Sequence, residues 1–354
     1  MQSKRILVCP LNWGLGHATR CIPIIQALRA DGYTPVIATS GRALYLLREE
    51  FPELEFIELP DYQITYQKNG SFALNLVKLV PSVMAKIRQE HKVLQRIIDE
   101  QDIHGVISDN RFGLHTHKVP TAFVSNQIRI LAPMGQWFVS QVNQSFVKRF
   151  DECWIPDFED ENNLCGYLTQ GFSSSIKAKY LGPLSRFTQM AEKKEHTYRI
   201  LALISGPEPQ RSYFEKIVRN QLIDSGIKAV MVRGVPEEEK MTTHEGNTTI
   251  HSYCTANELL DLIYDSELVI SRSGYSTVSD LTAIGKKAVF CPTPGQTEQE
   301  FLARRLDEKG FVPMYEQSEF NLEEARIKAE DYSGLPFLDT SHRNWSELFK
   351  LFEG

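Results

Sequence analysis

Residues 9–20 read CPLNWGLGHATR, a turn that leads from an apolar run into a helical pattern and carries both a histidine and an arginine. A helix amino end already bears partial positive charge, and an ordinary turn would place Ser or Asp there. His17 and Arg20 imply that something anionic, or something about to lose a proton, sits above the turn. A neutral imidazole in that place can accept a proton. Gly14 and Gly16 permit positive φ and close backbone approach. The loop is not G-x-G-x-x-G, because Thr19 holds the third glycine's position, which weighs against a dinucleotide. Asp109 follows the strand-like GVIS in VISDNRFG, so it is expected at the same sheet edge. A carboxylate there can orient His17 and stabilise its protonated form, as in a base and orienter pair. The plain structural readings are a capping or packing histidine and an Asx turn or helix cap.

Three more loops carry candidate chemistry. Ser205-Gly206-Pro207 follows ILALI and offers backbone donors to a phosphate, with Gln210 and Arg211 in the first helical turn beyond. In LVISRSGYSTVSDL a strand ends and a helix opens around Gly274, Ser276 and Thr277. A helix amino end with hydroxyls suits a diphosphate, and Arg272, Ser273 and Tyr275 flank it. Asp280 lies on the face of Ser276 and Thr277 and can accept from a ribose. After the strand KAVFC and a Pro/Gly loop, Thr297-Glu298-Gln299 opens another helix, with acid and amide groups suited to sugar hydroxyls. The plain reading of Glu298 is a charge complementing the helix dipole.

These loops need strands and helices to hold them. RILVCP, TPVIATS, LEFIELP, HGVISDN, VPTAFVS, ECWIPD and AKYLGP read as strands, and ATRCIPIIQALRADG and RALYLLREEF as helices. A second round starts near residue 198 with YRILALIS, followed by a helix, IKAVMVRG, NTTIHSY, a helix at TANELLDLIYDS, ELVISRSG, KAVFCP and FVPMYE. Apolar strands alternating with helices predict an α/β protein with parallel sheets covered on both faces. The break falls in the polar stretch 185–197. The expected division is 1–184, 198–337, and a terminal helix at 338–354. In such sheets ligands bind where strands end and helices begin.

Composition narrows the partners. The chain has 354 residues, 42% hydrophobic and 24% charged, with net charge −6, so two soluble domains are the expectation. An acidic balance argues against nucleic acid. Six scattered cysteines without C-x-x-C read as buried thiols in a reducing cytoplasm rather than a metal site. No apolar run is long enough to span a bilayer.

The segment SRSGYSTVSDLTAIGKKAVFCPTPGQTEQEFLARRL resembles the donor-binding region of GT-B glycosyltransferases, of family 28 type, and NWGLGHATR resembles their amino-terminal loop. The resemblance implies two doubly wound Rossmann-like domains facing across a cleft, the first taking the acceptor and the second a nucleotide sugar, usually a UDP-sugar. It implies that Ser273 to Thr277 hold the diphosphate, Asp280 the ribose, Ser252, Tyr253 and Cys254 the uracil through backbone, and Glu298 and Gln299 the sugar hydroxyls, with Arg233 near the nucleotide. It implies that the terminal helix crosses back to the first domain. It also implies His17 as base with Asp109 as partner, and inversion at the anomeric carbon. Two positions depart from the family pattern: Asp280 stands where Glu is usual, and Leu302 precedes Ala303 where asparagine is usual.

The expected reaction moves a hexose or N-acetylhexosamine from a UDP-sugar to an acceptor hydroxyl without a metal or resident cofactor, the UDP-sugar being a co-substrate. Arg20 is expected to face the donor phosphates. The alternatives are a nucleotide-sugar 2-epimerase and a non-catalytic UDP-sugar-binding protein. The acceptor is not named by the sequence; a lipid-linked molecule and a glycan are both open. SFALNLVKLVPSVMAKIRQEHKVLQRII and MGQWFVSQVNQSFVKRF read as helical hairpins packed on the sheet or as amphipathic contacts with a membrane. The place expected is the cytoplasm, including its membrane face.

Overall fold

The computed structural model describes residues 3–61, 72–131, 135–187, 196–236, 239–339 and 343–354, and of 72–81 only the backbone course. The chain divides into two units. The first comprises residues up to Asn12, His17–Leu184 and the final residues to Gly354; the second comprises Trp13–Gly16 and Ser185–Asp339.

In the first unit, β1 (Arg5–Pro10), β2 (Thr34–Thr39), β3 (Glu55–Glu58), β4 (Ile103–Asp109), β5 (Thr121–Val124), β6 (Glu152–Ile155) and β7 (Ala178–Tyr180) form one sheet in the order 3-2-1-4-5-6-7. Every pairing is parallel. Ile6 through Cys9 are fully buried, as expected of a central strand covered on both faces. The helices are α1 (Gly16–Ala30), α2 (Gly41–Glu50), α3 (Phe72–Gln101) and α4 (Gln136–Val147). The chain winds outward from β1 to β3 and then returns to lay β4 on β1's other side. That reversal leaves a crevice at the carboxyl ends of β1 and β4.

α3 is one continuous helix of 30 residues, not the hairpin expected for this segment; Pro81 lies within it without ending it. Among the described residues no helix is long and apolar enough to cross a membrane. At the carboxyl end, α10 (Trp345–Phe349) packs into the first unit. Phe349 and Phe352 are buried against Tyr33 and Trp154, and the Arg343 guanidinium donates to the carbonyls of Leu181 and Pro183.

The second unit holds β8 (Tyr198–Leu203), β9 (Ala229–Val232), β10 (Thr242–Glu245), β11 (Thr248–His251), β12 (Ser266–Ser271) and β13 (Ala288–Phe290), in the order 10-11-9-8-12-13. Only the β10–β11 hairpin is antiparallel. Its helices are α5 (Gln210–Ser225), α6 (Ala256–Tyr264), α7 (Tyr275–Thr282), α8 (Thr297–Glu308) and α9 (Leu322–Lys328). β8 repeats the role of β1, since β9 and β12 flank it, and the second crevice lies at the ends of β8 and β12. FVPMYE contributes only a single bridge, Met314 to Phe290. Pro313 has no N–H to give to a ladder.

Candidate active site

The first crevice holds the histidine and aspartate together. His17 enters from the first turn of α1 and Asp109 closes β4. The loop between β1 and α1 reaches α1 through Gly14 at φ +72, where an added Cβ would meet open space. The requirement for glycine there is conformational, not steric. His17 Nδ1 lies 2.8 Å from Asp109 Oδ1. The carboxylate is fully buried and the imidazole 13% exposed.

Arg20, expected to face the donor phosphates, is turned to Asp109. It is 3% exposed and grips Asp109 with two donors, Nε to Oδ2 at 2.5 Å and a terminal nitrogen to Oδ1. Its other terminal nitrogen donates to Asn126 Oδ1 at 2.6 Å. His17 and Arg20 are three apart on α1 and share a face, which brings both to the one carboxylate. Burial alone would raise the Asp109 carboxyl, but the guanidinium and then the imidazole hold it below the usual carboxylate range. The Cys21 thiol beside it is pushed far up by burial, so it stays a thiol.

In the second crevice three loops converge. Gly206, at φ +112, follows β8, and a Cβ placed on it would come 3.5 Å from Thr293 Oγ1 in the loop after β13. Gly274 is the N-cap of α7, and its would-be Cβ lies 3.9 Å from Gln299 Nε2. Ser273 donates its hydroxyl to the Gln299 carbonyl at 2.8 Å, and the Thr293 N–H donates to Gln299 Oε1 at 2.8 Å. α7 has no acidic residue in its first turn and no side-chain cap, so its end keeps its positive potential. Ser276 donates to the Gly16 carbonyl at 2.6 Å, and Thr277 is half-buried beside it. Thr297 and Glu298 open α8, half-buried. Ser205 is half-buried after β8 and Tyr275 is buried.

Several expected contacts are already occupied by the protein itself. Arg211 is buried between Glu208 and Glu215, at 2.6 Å from each, and also donates to the Arg233 carbonyl. The Arg233 side chain in turn donates to Glu215 at 2.8 Å. Arg272 is fully buried and stacks on Phe214 at 4.1 Å. It ties the carbonyls of Cys291, Pro292 and Gln210 together, and burial lowers it to about 10. Asp280 accepts from the Ser185 hydroxyl and from both the backbone and the side chain of Arg186; burial still raises its carboxyl. Ser252 accepts from Val235 N–H and donates its own N–H to Met241. Tyr253 and Cys254 are buried, the Cys254 thiol pushed up to about 12 by burial.

Sequence reasoning missed Asn126 and Thr293. The Thr293 hydroxyl is buried without a hydrogen-bond partner among the described residues. No group of three or more His, Cys, Asp or Glu among the described residues is placed to hold a metal ion.

Residues 216–330, all in the second unit, match the glycosyltransferase family 28 C-terminal domain. An uncharacterized glycosyltransferase of Methanosarcina mazei is 25% identical over 339 residues, covering 89% of this chain and 86% of its own. A UDP-N-acetylglucosamine--N-acetylmuramyl-(pentapeptide) pyrophosphoryl-undecaprenol N-acetylglucosamine transferase of Sulfurihydrogenibium sp. is 24% identical over 325 residues, with the same two coverages. The glycosyltransferase SnogD from Streptomyces nogalater superposes with a TM-score of 0.64 over 99% of this chain and 100% of its own, at 13% identity. MurG of Acinetobacter baumannii gives 0.56 over 99% of both chains at 12% identity. The sheet orders, the family 28 domain matched within the second unit and these likenesses agree: the chain is a glycosyltransferase built on the GT-B fold.

Proposed function

We propose that the chain transfers a hexose or N-acetylhexosamine from a UDP-sugar to an acceptor hydroxyl with inversion, His17 acting as general base and no metal taking part. The observation that carries this reading is the His17–Asp109 pair, 2.8 Å apart at the crevice where β1 and β4 end. With Nδ1 turned to the carboxylate, Nε2 is the nitrogen left to take the acceptor proton. As the acceptor oxygen bonds to the anomeric carbon, the bond from that carbon to the diphosphate oxygen breaks and UDP leaves with the electron pair. The proton goes to Nε2. The second unit holds the donor, with the backbone around Gly206 and the amino end of α7 stabilising the departing diphosphate. A relative whose name carries UDP-N-acetylglucosamine supports a UDP-sugar donor.

The test is transfer from a panel of UDP-sugars, with UDP binding followed by thermal unfolding. UDP at about 100 times its Kd should stabilise the second unit by about 2.7 kcal/mol. His17→Ala should lower kcat by about 10²–10⁴ and leave UDP binding unchanged. Turnover that survives the substitution removes His17 as base. Loss of activity on adding EDTA, restored by a divalent ion, removes the metal-independent mechanism.

A further inference from the structure

We infer that Arg20 is the positioning residue of the catalytic pair: it fixes which nitrogen of His17 carries the proton. This rests on the reading of His17 as base and adds the device that makes it one. A lone Asp109 carboxylate could rotate and present either oxygen, or a face, to the imidazole. The Arg20 fork removes that freedom, because Nε binds Oδ2 while the terminal nitrogen binds Oδ1, a bidentate match that sets the carboxylate plane. Asn126, 2% exposed, anchors the far side of the guanidinium. The carboxylate is therefore presented to His17 by a clamp closed at both ends.

The clamp also decides the tautomer. Arg20 Nη2 and Asp109 Oδ1 both lie 2.8 Å from His17 Nδ1. Two arrangements compete. With a bare Nδ1, the arginine donates to it, but an imidazole lone pair then faces an anionic oxygen at 2.8 Å on a fully buried carboxylate, which is costly. With a proton on Nδ1, that contact becomes a charge-assisted hydrogen bond, and the arginine keeps its donation to Oδ1. The second arrangement wins, and Nε2 is left with its lone pair. After Nε2 takes the acceptor proton, the Nδ1 proton stays where it is and Asp109 stays ionised, since the guanidinium holds it so. The trio then carries one net positive charge at the moment the diphosphate gains negative charge.

Nitrogen-15 NMR of protein labelled in histidine reads the tautomer directly. The His17→Ala spectrum assigns the resonances. In the wild-type protein Nδ1 should resonate as a protonated, pyrrole-type nitrogen and Nε2 as a pyridine-type one; the reverse assignment overturns the proposal. Arg20→Lys keeps the charge but loses the fork. It should give mixed tautomers and at least a tenfold fall in kcat, with the donor KM little changed. A single unchanged tautomer with unchanged kcat overturns the role given to Arg20. If Arg20→Lys does not fold, Asn126→Leu opens the far end of the clamp and is read in the same two ways. Turnover surviving in His17→Ala would refute the base reading while leaving the tautomer result standing, so the two ideas fail separately.

Discussion

The buried trio makes a thermodynamic prediction that does not depend on the substrate. Asp109 is fully buried and Arg20 nearly so. Removing one partner strands the other charge, at a cost of about 3–5 kcal/mol, whereas replacing both with apolar groups of similar volume is often about neutral. Asp109→Leu takes from the buried guanidinium the carboxylate that balances its charge. Arg20→Met leaves the carboxylate with the imidazole. Each single variant is expected to lose about 3–5 kcal/mol, and additivity would put the double variant at about 6–10 kcal/mol. The double variant should instead fall within about 2 kcal/mol of the wild type, a coupling of at least about 4 kcal/mol. The assay is hydrogen exchange read by mass spectrometry on peptides spanning β1 and β4, which follows the first unit without assuming that both units unfold together. If the single costs simply add, the three side chains do not act as one electrostatic unit, and the reasoning about clamp and tautomer loses its basis.

Two further predictions follow from the same unit. Asp109 has its carboxyl held below the ordinary value of 3.8. Its contribution to stability should be complete above that value and lost as pH falls through the depressed one; urea midpoints from pH 6 downward should show this slope, and Asp109→Leu should lack it. Phe352 is 1% exposed and touches both Tyr33 and Trp154, so Phe352→Ala should cost about 3–5 kcal/mol and quench the burial of Trp154 by fluorescence. A loss below about 1 kcal/mol would show that the terminal segment is an ornament on the first unit rather than part of its core.

Parts of this were legible in the residues and parts were not, for reasons that differ. ILVC, residues 6–9, and AVMV are apolar at every position, as a short strand covered on both faces should be, and both are in central strands. The GLGH loop and Asp109 could be brought to one sheet edge because parallel strands all end on the same side. Arg20 was misread although the signal was present: three residues after His17 on a helix, it had to share the face that Asp109 served. Arg211 carries a similar signal, with Glu208 and Glu215 at i−3 and i+4. β10 was missed because TTHE alternates nothing apolar and its strand is held by backbone pairing to β11. Asn126 and Thr293 were beyond reach, since each gains its partner or its isolation only when distant loops close over it.

The first unit draws on both ends of the chain, while Ser185–Asp339 of the second is one continuous stretch. During synthesis the ribosome therefore delivers nearly all of the second unit before the first unit has its Phe349 and Phe352. Where the amino-terminal portion folds as it emerges, β1 to β7 can do so only with the pocket around Tyr33, Gly105 and Trp154 still lacking the ring of Phe352. A nascent chain stalled before Phe349 would lack both rings and leave this pocket open to solvent and to chaperones, so a defect arising late in synthesis would fall on a sheet laid down long before it.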